Sequence, residues 1–415
     1  VRVASRTLAK AKALVGDHPR GAAQAFDILQ EGDRLSDLVA GADLVVSLLP
    51  YTYHVRVAEQ CVRQGRHLVT TSYVSDGMRR LDAKAREAGV ILLNEIGLDP
   101  GIDHMSAMRV ITRVHEAGGQ VKSFRSYCGG LPAPDANDNP LGYKFSWSPR
   151  GVILAGRNHA QFKERGAVVQ VANDRLFATH FVTAVEGLGD LEAYPNRDSL
   201  PYADLYGVPE SDTMYRGTLR NLGWCDVMQK LNELGYFSLD ERTDLGGTTY
   251  ARVMAGLVGA DGTGDLALAV ARSINVAPNS GVMMALAWLG LFSDERVPGR
   301  RTLLDVLAER MVDRMPYRPG ERDMVVLVHE FEALYEHGHE RITSTLIDYG
   351  LPDGDSSMAR TVGLPAAIGA RIVLDGTLRL TGVHIPVLPE IYEPVLDELA
   401  QLGIDFEEKV QARDP

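Results

Sequence analysis

Cysteine is scarce in this chain: Cys61, Cys128 and Cys225 are the only three, far apart and odd in number. That excludes a disulfide scaffold and suits a reducing compartment, and none of them has zinc-type spacing. No apolar run reaches the roughly 18 residues that would argue for a transmembrane helix. The opening Val1-Arg2-Val3-Ala4-Ser5-Arg6 is not a basic stretch leading into an apolar one, so no secretory leader is expected. Basic tracts are missing as well. Lys and Arg number 43 against 55 Asp and Glu, a net charge of -12 that disfavours nucleic acid as a partner. No metal is expected, because His337 and His339 read as a solvated turn without a helical partner. The expectation is a cytoplasmic protein with neither membrane nor nucleic-acid contacts. A Gly-x-Gly-x-x-Gly turn, the usual cradle for a dinucleotide's phosphates, is also missing.

What is present is ordinary globular material, 45% hydrophobic and 24% charged over 415 residues, enough for two or three domains. Apolar runs alternate with helix-like segments through the first hundred residues. Val1–Ser5, Gln24–Leu29, Asp43–Pro50, His67–Thr71 and Val90–Leu93 read as strands. Between them, Leu8–Leu14 (capped by Thr7 and ended by Gly16), Arg34–Ala40, His54–Gln64 and Asp76–Ala88 read as helices. Strands that are solid apolar runs imply a parallel sheet covered on both faces, hence an α/β, doubly wound, dinucleotide-binding type of domain. Such a domain normally opens with a strand, a glycine-rich turn and a helix. This chain reads as starting at the second strand, so that first βα unit is expected to be missing. The residues after the second strand, Ser5-Arg6-Thr7, offer no acid for a ribose 2'-hydroxyl but an Arg that suits a 2'-phosphate, which favours NADP. A surface Arg before a helix is the plainer reading.

The stretch Asn94-Glu95-Ile96-Gly97-Leu98-Asp99-Pro100-Gly101-Ile102-Asp103-His104 ends a strand, turns through Asp99-Pro100-Gly101 and starts a helix running from Ile102 to Glu116. Carboxylates at the C-terminal end of a parallel strand sit where open α/β sheets bind ligands, although a polar linker would read the same way. The segment from Cys128 to Gly151 is dense in Gly, Pro, Asn and aromatic residues and reads as an ordered loop near a site. Arg197, Arg216 and Arg220 read as arginines on turns, either surface ion pairs or a clamp for substrate carboxylates. A helical insertion is expected over 226–315, an antiparallel hairpin from Arg322 to Tyr349, a helix from Ser356 or Ser357 to Val373 with Pro365 kinking it, and a last helix within Leu388–Phe406.

Long runs of the sequence, among them SRTLAKAKAL, VVSLLPYTYH, NEIGLDPGIDH, SFRSYCGGLPAPDANDNPLGYKFSWSPRGV, YPNRDS, RGTLR and SSMARTVGLPAA, resemble the NADP-dependent, L-glutamate-forming saccharopine dehydrogenases. The resemblance covers nearly the whole chain. It implies a Rossmann domain over 1–101, an α/β substrate and dimerisation domain over 102–225 and 316–415 (its C-terminal part packing back on the first), and a helical insertion over 226–315. It implies a homodimer that interconverts saccharopine, water and NADP with glutamate, 2-aminoadipate 6-semialdehyde and NADPH. By the same resemblance Ser5, Arg6, Thr7, Asp27, Ile28, Leu49, Thr71, Ser72, Leu98, Asp99, Pro100 and Ser148 stand at cofactor positions. Ser72, Tyr73, Asp99, Arg197, Thr218, Leu219 and Arg220 stand where saccharopine is held. Asp99, Tyr73 and Cys128 are the candidates for the base that activates water, Asp99 first. Two alternatives stay open: a related imine reductase of the carboxynorspermidine or homospermidine type, and an inactive, truncated binding protein.

Overall fold

Short apolar strands and helices stopped by glycine build the first part of the chain, and long strands build the second. The computed structural model describes residues 1–261 and 264–413. It opens with β1 (Arg2–Ser5), α1 (Leu8–Val15), β2 (Ala22–Ala25), α2 (Leu35–Ala40), β3 (Leu44–Ser47), α3 (His54–Arg63), β4 (His67–Thr70), α4 (Asp76–Arg79), α5 (Asp82–Glu87), β5 (Ile91–Leu93) and α6 (Ile102–Glu116). Next come β6 (Gln120–Pro132), α7 (Pro149–Ala155), β7 (Ala160–Glu164), β8 (Ala167–Val171), β9 (Phe181–Val185), β10 (Gly189–Pro195), α8 (Pro201–Leu205) and β11 (Thr213–Asn221). Five helices follow: α9 (Trp224–Glu233), α10 (Tyr250–Val258), α11 (Leu266–Ser273), α12 (Gly281–Trp288) and α13 (Leu303–Arg314). The chain closes with β12 (Asp323–Tyr335), β13 (Gly338–Tyr349), α14 (Ser357–Leu374), β14 (Gly382–His384), α15 (Pro389–Gln401) and β15 (Glu407–Arg413).

These elements form two compact units. The first is Val1–Met105 with Val362–Glu398; the second is Ser106–Thr361 with the chain from Leu399 on. In the first unit, four parallel strands lie in the order β14-β5-β4-β3, and β1 and β2 form a separate parallel pair. Their helices cover a core that includes Phe26, Val57, Ala58, Leu68, Ala85 and Leu92. This is an α/β fold with a parallel sheet of Rossmann type. Because all strands of the four-stranded sheet run the same way, their C-terminal ends share one edge.

The second unit is built on a mixed nine-stranded sheet whose main path is β15-β13-β12-β6-β11-β10-β9, with β7 pairing β11 and β8 pairing β7. β6 is central: it runs parallel to β11 on one side and antiparallel to β12 on the other. The helical stretch α10 to α13 starts each helix with a side-chain cap, from Thr249, Asp265, Ser280 and Thr302 respectively, which satisfies amides that a helix start leaves unpaired. Among the described residues, no helix is long and apolar enough to cross a membrane.

Several expectations need correction. β1 is a strand, but its residues alternate between exposed and half-buried rather than being buried, since β2 is its only strand partner among the described residues. Thr7 stands at the start of α1 without making a side-chain cap. The strand expected at Gln24–Leu29 ends at Ala25, and Asp27 instead turns the chain by accepting from Leu29 N at 2.9 Å. The helix expected over Asp76–Ala88 breaks into α4 and α5. The Cys128–Gly151 loop begins only after Pro132, because five of its residues belong to β6. Arg216 and Arg220 lie on strand β11, not on turns. The last helix stops at Gln401, and the polar run Glu407–Arg413 pairs with β13 as a strand.

Candidate active site

In the first unit the ends of β3, β4 and β5 deliver a connected set of polar groups. Ser47 closes β3 and is buried. Its hydroxyl lies 2.9 Å from His54 Nδ1, and His54 Nε2 lies 2.9 Å from Ser72 Oγ and 3.2 Å from Thr70 Oγ1. The imidazole at the start of α3 is 4% exposed, and burial lowers its pKa, so it is neutral near pH 7 and bridges the ends of two strands. Next to Ser72, Tyr73 Oη donates to Asp99 Oδ1 at 2.5 Å. Both residues are half-buried. A hydroxyl donating to a carboxylate is a charge-assisted bond, stronger than a neutral one.

Asp99 owes its position to the turn that carries it. Gly97 N donates to Pro100 O, Ile102 N to Gly97 O and Asp103 N to Leu98 O, and the Asp99–Pro100 peptide bond is cis. Gly101 has φ 146°, and a Cβ there would collide with the backbone of Gly97, so only glycine fits. Leu98 and Pro100 are buried beneath this turn, while Leu49 and Thr71 are half-buried at the ends of β3 and β4.

At the end of β1, Arg6 is exposed and, among the described residues, makes no ion pair. Beside it stand the hydroxyls of Ser5 and Thr7, with Thr7 N donating to Ser5 Oγ at 3.4 Å. An uncommitted guanidinium flanked by two hydroxyls at the C-terminal end of a parallel strand suits a phosphate monoester. Asp27 and Ile28 follow β2 on the same edge; Ile28 is buried and its carbonyl accepts from Arg56. The residues present therefore fit the adenosine end of NADP.

The second unit holds the remaining candidates. Antiparallel pairing of β10 with β11 places Tyr194 opposite Thr218 and Pro195 opposite Gly217, so Asn196 and Arg197 emerge just beyond the pair. Asn196 Nδ2 donates to Thr218 Oγ1 at 3.1 Å, and Arg197 Nε to Asn196 Oδ1 at 3.3 Å. Arg220 is 4% exposed, with its guanidinium 4.8 Å from the Tyr143 ring centroid and 5.5 Å from that of Trp224. One of its N–H groups donates to Leu219 O at 2.7 Å, while Nε makes no hydrogen bond. Among the described residues it makes no ion pair, and the groups around it stay protonated: burial pushes the Tyr194 phenol up to about 12 and raises Tyr143 and Cys225. Glu192, its register partner across β10, spends both carboxylate oxygens on Gly223 N and Cys225 N. A buried guanidinium that makes no ion pair among the described residues and lies between aromatic faces suits an anion.

Cys128 is buried in β6, in register with Thr218. Leu219 is fully buried, and its carbonyl would lie 2.7 Å from a Cβ at Gly129. Ser148 is exposed, its hydroxyl capping α7 through Gly151 N at 3.3 Å. It borders an open cleft of about 480 Å³ with Trp147 and Tyr317 on its wall. Ser47, His54 and Thr70 escaped the sequence reading, because one His opening a helix carries no local signal.

A parallel α/β unit whose edge suits a phosphate, and a second unit with a buried arginine suited to an anion, are parts an NADP-linked oxidoreductase needs. Family models agree: residues 1–93 match the saccharopine dehydrogenase NADP binding domain and 97–404 the saccharopine dehydrogenase C-terminal domain. The chain belongs to the saccharopine dehydrogenase family. It is 42% identical to the NADP(+), L-glutamate-forming saccharopine dehydrogenase of Pyricularia oryzae, over 99% of this chain and 94% of that protein. It is 39% identical to the mitochondrial alpha-aminoadipic semialdehyde synthase of Bos taurus, over 91% of this chain but only 42% of that longer protein. A solved structure of the apo, histidine-tagged, L-Glu-forming saccharopine dehydrogenase from Saccharomyces cerevisiae matches with a TM-score of 0.91 and 41% identity, covering 99% of this chain and 94% of that one.

Proposed function

We propose that this chain oxidises saccharopine with NADP and water to L-glutamate, 2-aminoadipate 6-semialdehyde and NADPH, reversibly. The observation that carries the reading is the Tyr73–Asp99 hydrogen bond at the C-terminal edge of the parallel sheet, a carboxylate and phenol joined where such folds bind ligands.

NADP, when bound, supplies the hydride acceptor. The first unit would hold it through Ser5, Arg6 and Thr7 at the 2'-phosphate, Asp27 and Ile28 at the adenine, and Leu49, Thr71, Ser72, Leu98 and Pro100 beyond them. Saccharopine has three carboxylates and two amino groups. Arg197 and Arg220 take carboxylates, Thr218 and Leu219 line the same strand, and Ser72 and Tyr73 offer hydroxyls. Loss of hydride from the carbon next to the secondary amine leaves an iminium. Water adds to that carbon, giving up a proton to a base; the nitrogen of the resulting carbinolamine then takes a proton, its hydroxyl gives one up to form the aldehyde, and the C–N bond breaks with its electron pair going to glutamate's nitrogen. Asp99 is the base we favour, with the Tyr73 hydroxyl orienting its carboxylate; Cys128, a thiol inside β6, is the weaker candidate.

The same reading takes the second unit as the substrate and dimerisation part, and the chain as a cytoplasmic homodimer. Cys61, Cys128 and Cys225 are buried thiols rather than disulfide halves, which supports a reducing compartment. The test is NADPH formation, followed at its near-ultraviolet absorbance, from the folded chain with saccharopine and NADP. Folded protein that forms no NADPH refutes the assignment.

A further inference from the structure

Glu95 is the first of three carboxylates in the Asn94–His104 stretch, and the reaction as assigned gives it no task. It is 5% exposed, and His104 beside it is fully buried. Its Oε2 lies 2.9 Å from His104 Nε2. Its Oε1 accepts from Val74 N at 2.8 Å, and its own backbone N–H donates to Ser72 O at 3.2 Å. One residue thus grips the chain immediately before and immediately after Tyr73. Glu95 also holds a left-handed backbone, with φ 58°, which residues bearing a Cβ rarely adopt. Glycine would take that backbone without strain, but it has no side chain to reach Val74 and His104. Nine residues on, the same stretch carries His104, and between the two lies Asp99, the acceptor of the Tyr73 hydroxyl.

We infer that Glu95 is a positioning residue that acts through Tyr73: with His104 it clamps the Ser72–Val74 segment so that the Tyr73 hydroxyl meets Asp99 in the geometry the reaction needs. The inference deepens the assignment above and rests on it. Glu95 is assigned no contact with substrate or cofactor; its role is through the backbone on either side of Tyr73. The reason for a forked side chain is geometric: one oxygen must accept from Val74 N while the second polar atom of the fork reaches His104 Nε2, and a misplacement of about 1 Å at a reacting pair costs on the order of 100-fold in rate.

The experiment is a double-mutant cycle on the whole chain, comparing wild type, Glu95→Ala, Tyr73→Phe and the double variant in saccharopine oxidation. Glu95→Ala is expected to lower kcat about 10- to 100-fold while leaving the KM for NADP within about threefold, and to lower it no further in the Tyr73→Phe background. Glu95→Gln, whose amide still spans Val74 N and His104, is expected to stay within about threefold of wild type. Equal losses from Glu95→Ala in both backgrounds would overturn the inference, because a merely structural residue adds its cost whatever stands at position 73. Should Glu95→Ala fail to fold, Glu95→Asp, which keeps the charge but falls short of Val74, replaces it with the same expectations. Amide hydrogen exchange over residues 72–75 reads the clamp without turnover. Protection in wild type and Glu95→Gln and its loss in Glu95→Ala or Glu95→Asp support the clamp even if saccharopine is not the substrate, and equal protection in all of them overturns it.

Discussion

Replacing Arg220 by methionine should separate stability from substrate binding. Methionine has nearly the length of the arginine stem and no charge. The guanidinium stacks on Tyr143 and Trp224, donates to Leu219 O and leaves Nε without a hydrogen bond. Losing the ring contacts costs about 1–2 kcal/mol in a desolvated setting, and losing the charged hydrogen bond costs about 1.5–3 kcal/mol. Against this stands the desolvation of a buried charge that has no ion-pair partner among the described residues, several kcal/mol in favour of the neutral side chain. The terms nearly cancel, so Arg220→Met should change stability by no more than about 1 kcal/mol, or roughly 2–4 °C in Tm for a unit of this size. Arginine in a structural buried ion pair behaves otherwise: breaking such a pair costs about 3–5 kcal/mol. Substrate binding should suffer much more than stability. Removing a two-pronged guanidinium–carboxylate contact, about 3 kcal/mol, raises the KM for saccharopine on the order of 100-fold. Differential scanning calorimetry and initial-rate kinetics on the same preparation measure both. A Tm lowered by about 10 °C or more with KM unchanged would show that Arg220 holds the fold and does not receive substrate.

Two further substitutions test other parts of the site. Arg6→Glu should raise the KM for NADP about 10-fold or more and that for NAD by less than about threefold, since the side chain is exposed and only a 2'-phosphate would reward it; equal losses in steady-state kinetics would show that it does not read that phosphate. Burial lowers the pKa of His54 and of His67 below their unfolded values. Their neutral forms are favoured in the fold, so the stability they contribute is complete above about pH 6.5 and is lost as pH falls below it, where the unfolded chain binds protons more readily. Thermal unfolding followed between about pH 5 and 8 should therefore show a shallower acid-side loss in His54→Gln than in wild type, and identical slopes would remove His54 from the account.

Much of the first unit was legible because its strands are solid apolar runs and glycines stop its helices, as Gly16 does for α1 with φ 53°. The turn at Asp99-Pro100-Gly101 was legible for the same local reason. Features set by distant partners were hidden. Arg216 and Arg220 flank Gly217, which in sequence looks like a turn; in the fold, Gly217 allows β11 to approach Tyr194 O, which a Cβ would meet at 2.7 Å. β15 was missed because Glu407-Glu408-Lys409 is charged, and only pairing with β13 makes it a strand. His54 acquires its partners from β3 and from the end of β4, seven residues before it and sixteen to eighteen after it in sequence.

The pairing of β14 with β5 has a bearing on biosynthesis. β5 is buried along its whole length, and one of its edges is covered by the strand Gly382–His384, fixed there by Gly382 N to Val90 O and Asn94 N to His384 O. Those residues leave the ribosome about 290 positions later, which at roughly 5–20 residues per second is some 15–60 s of synthesis. For that interval the edge of Ile91-Leu92-Leu93 is a bare, apolar template for pairing with other chains. The nascent chain must then be shielded, by its own later segments or by a chaperone, until the strand that seals it arrives.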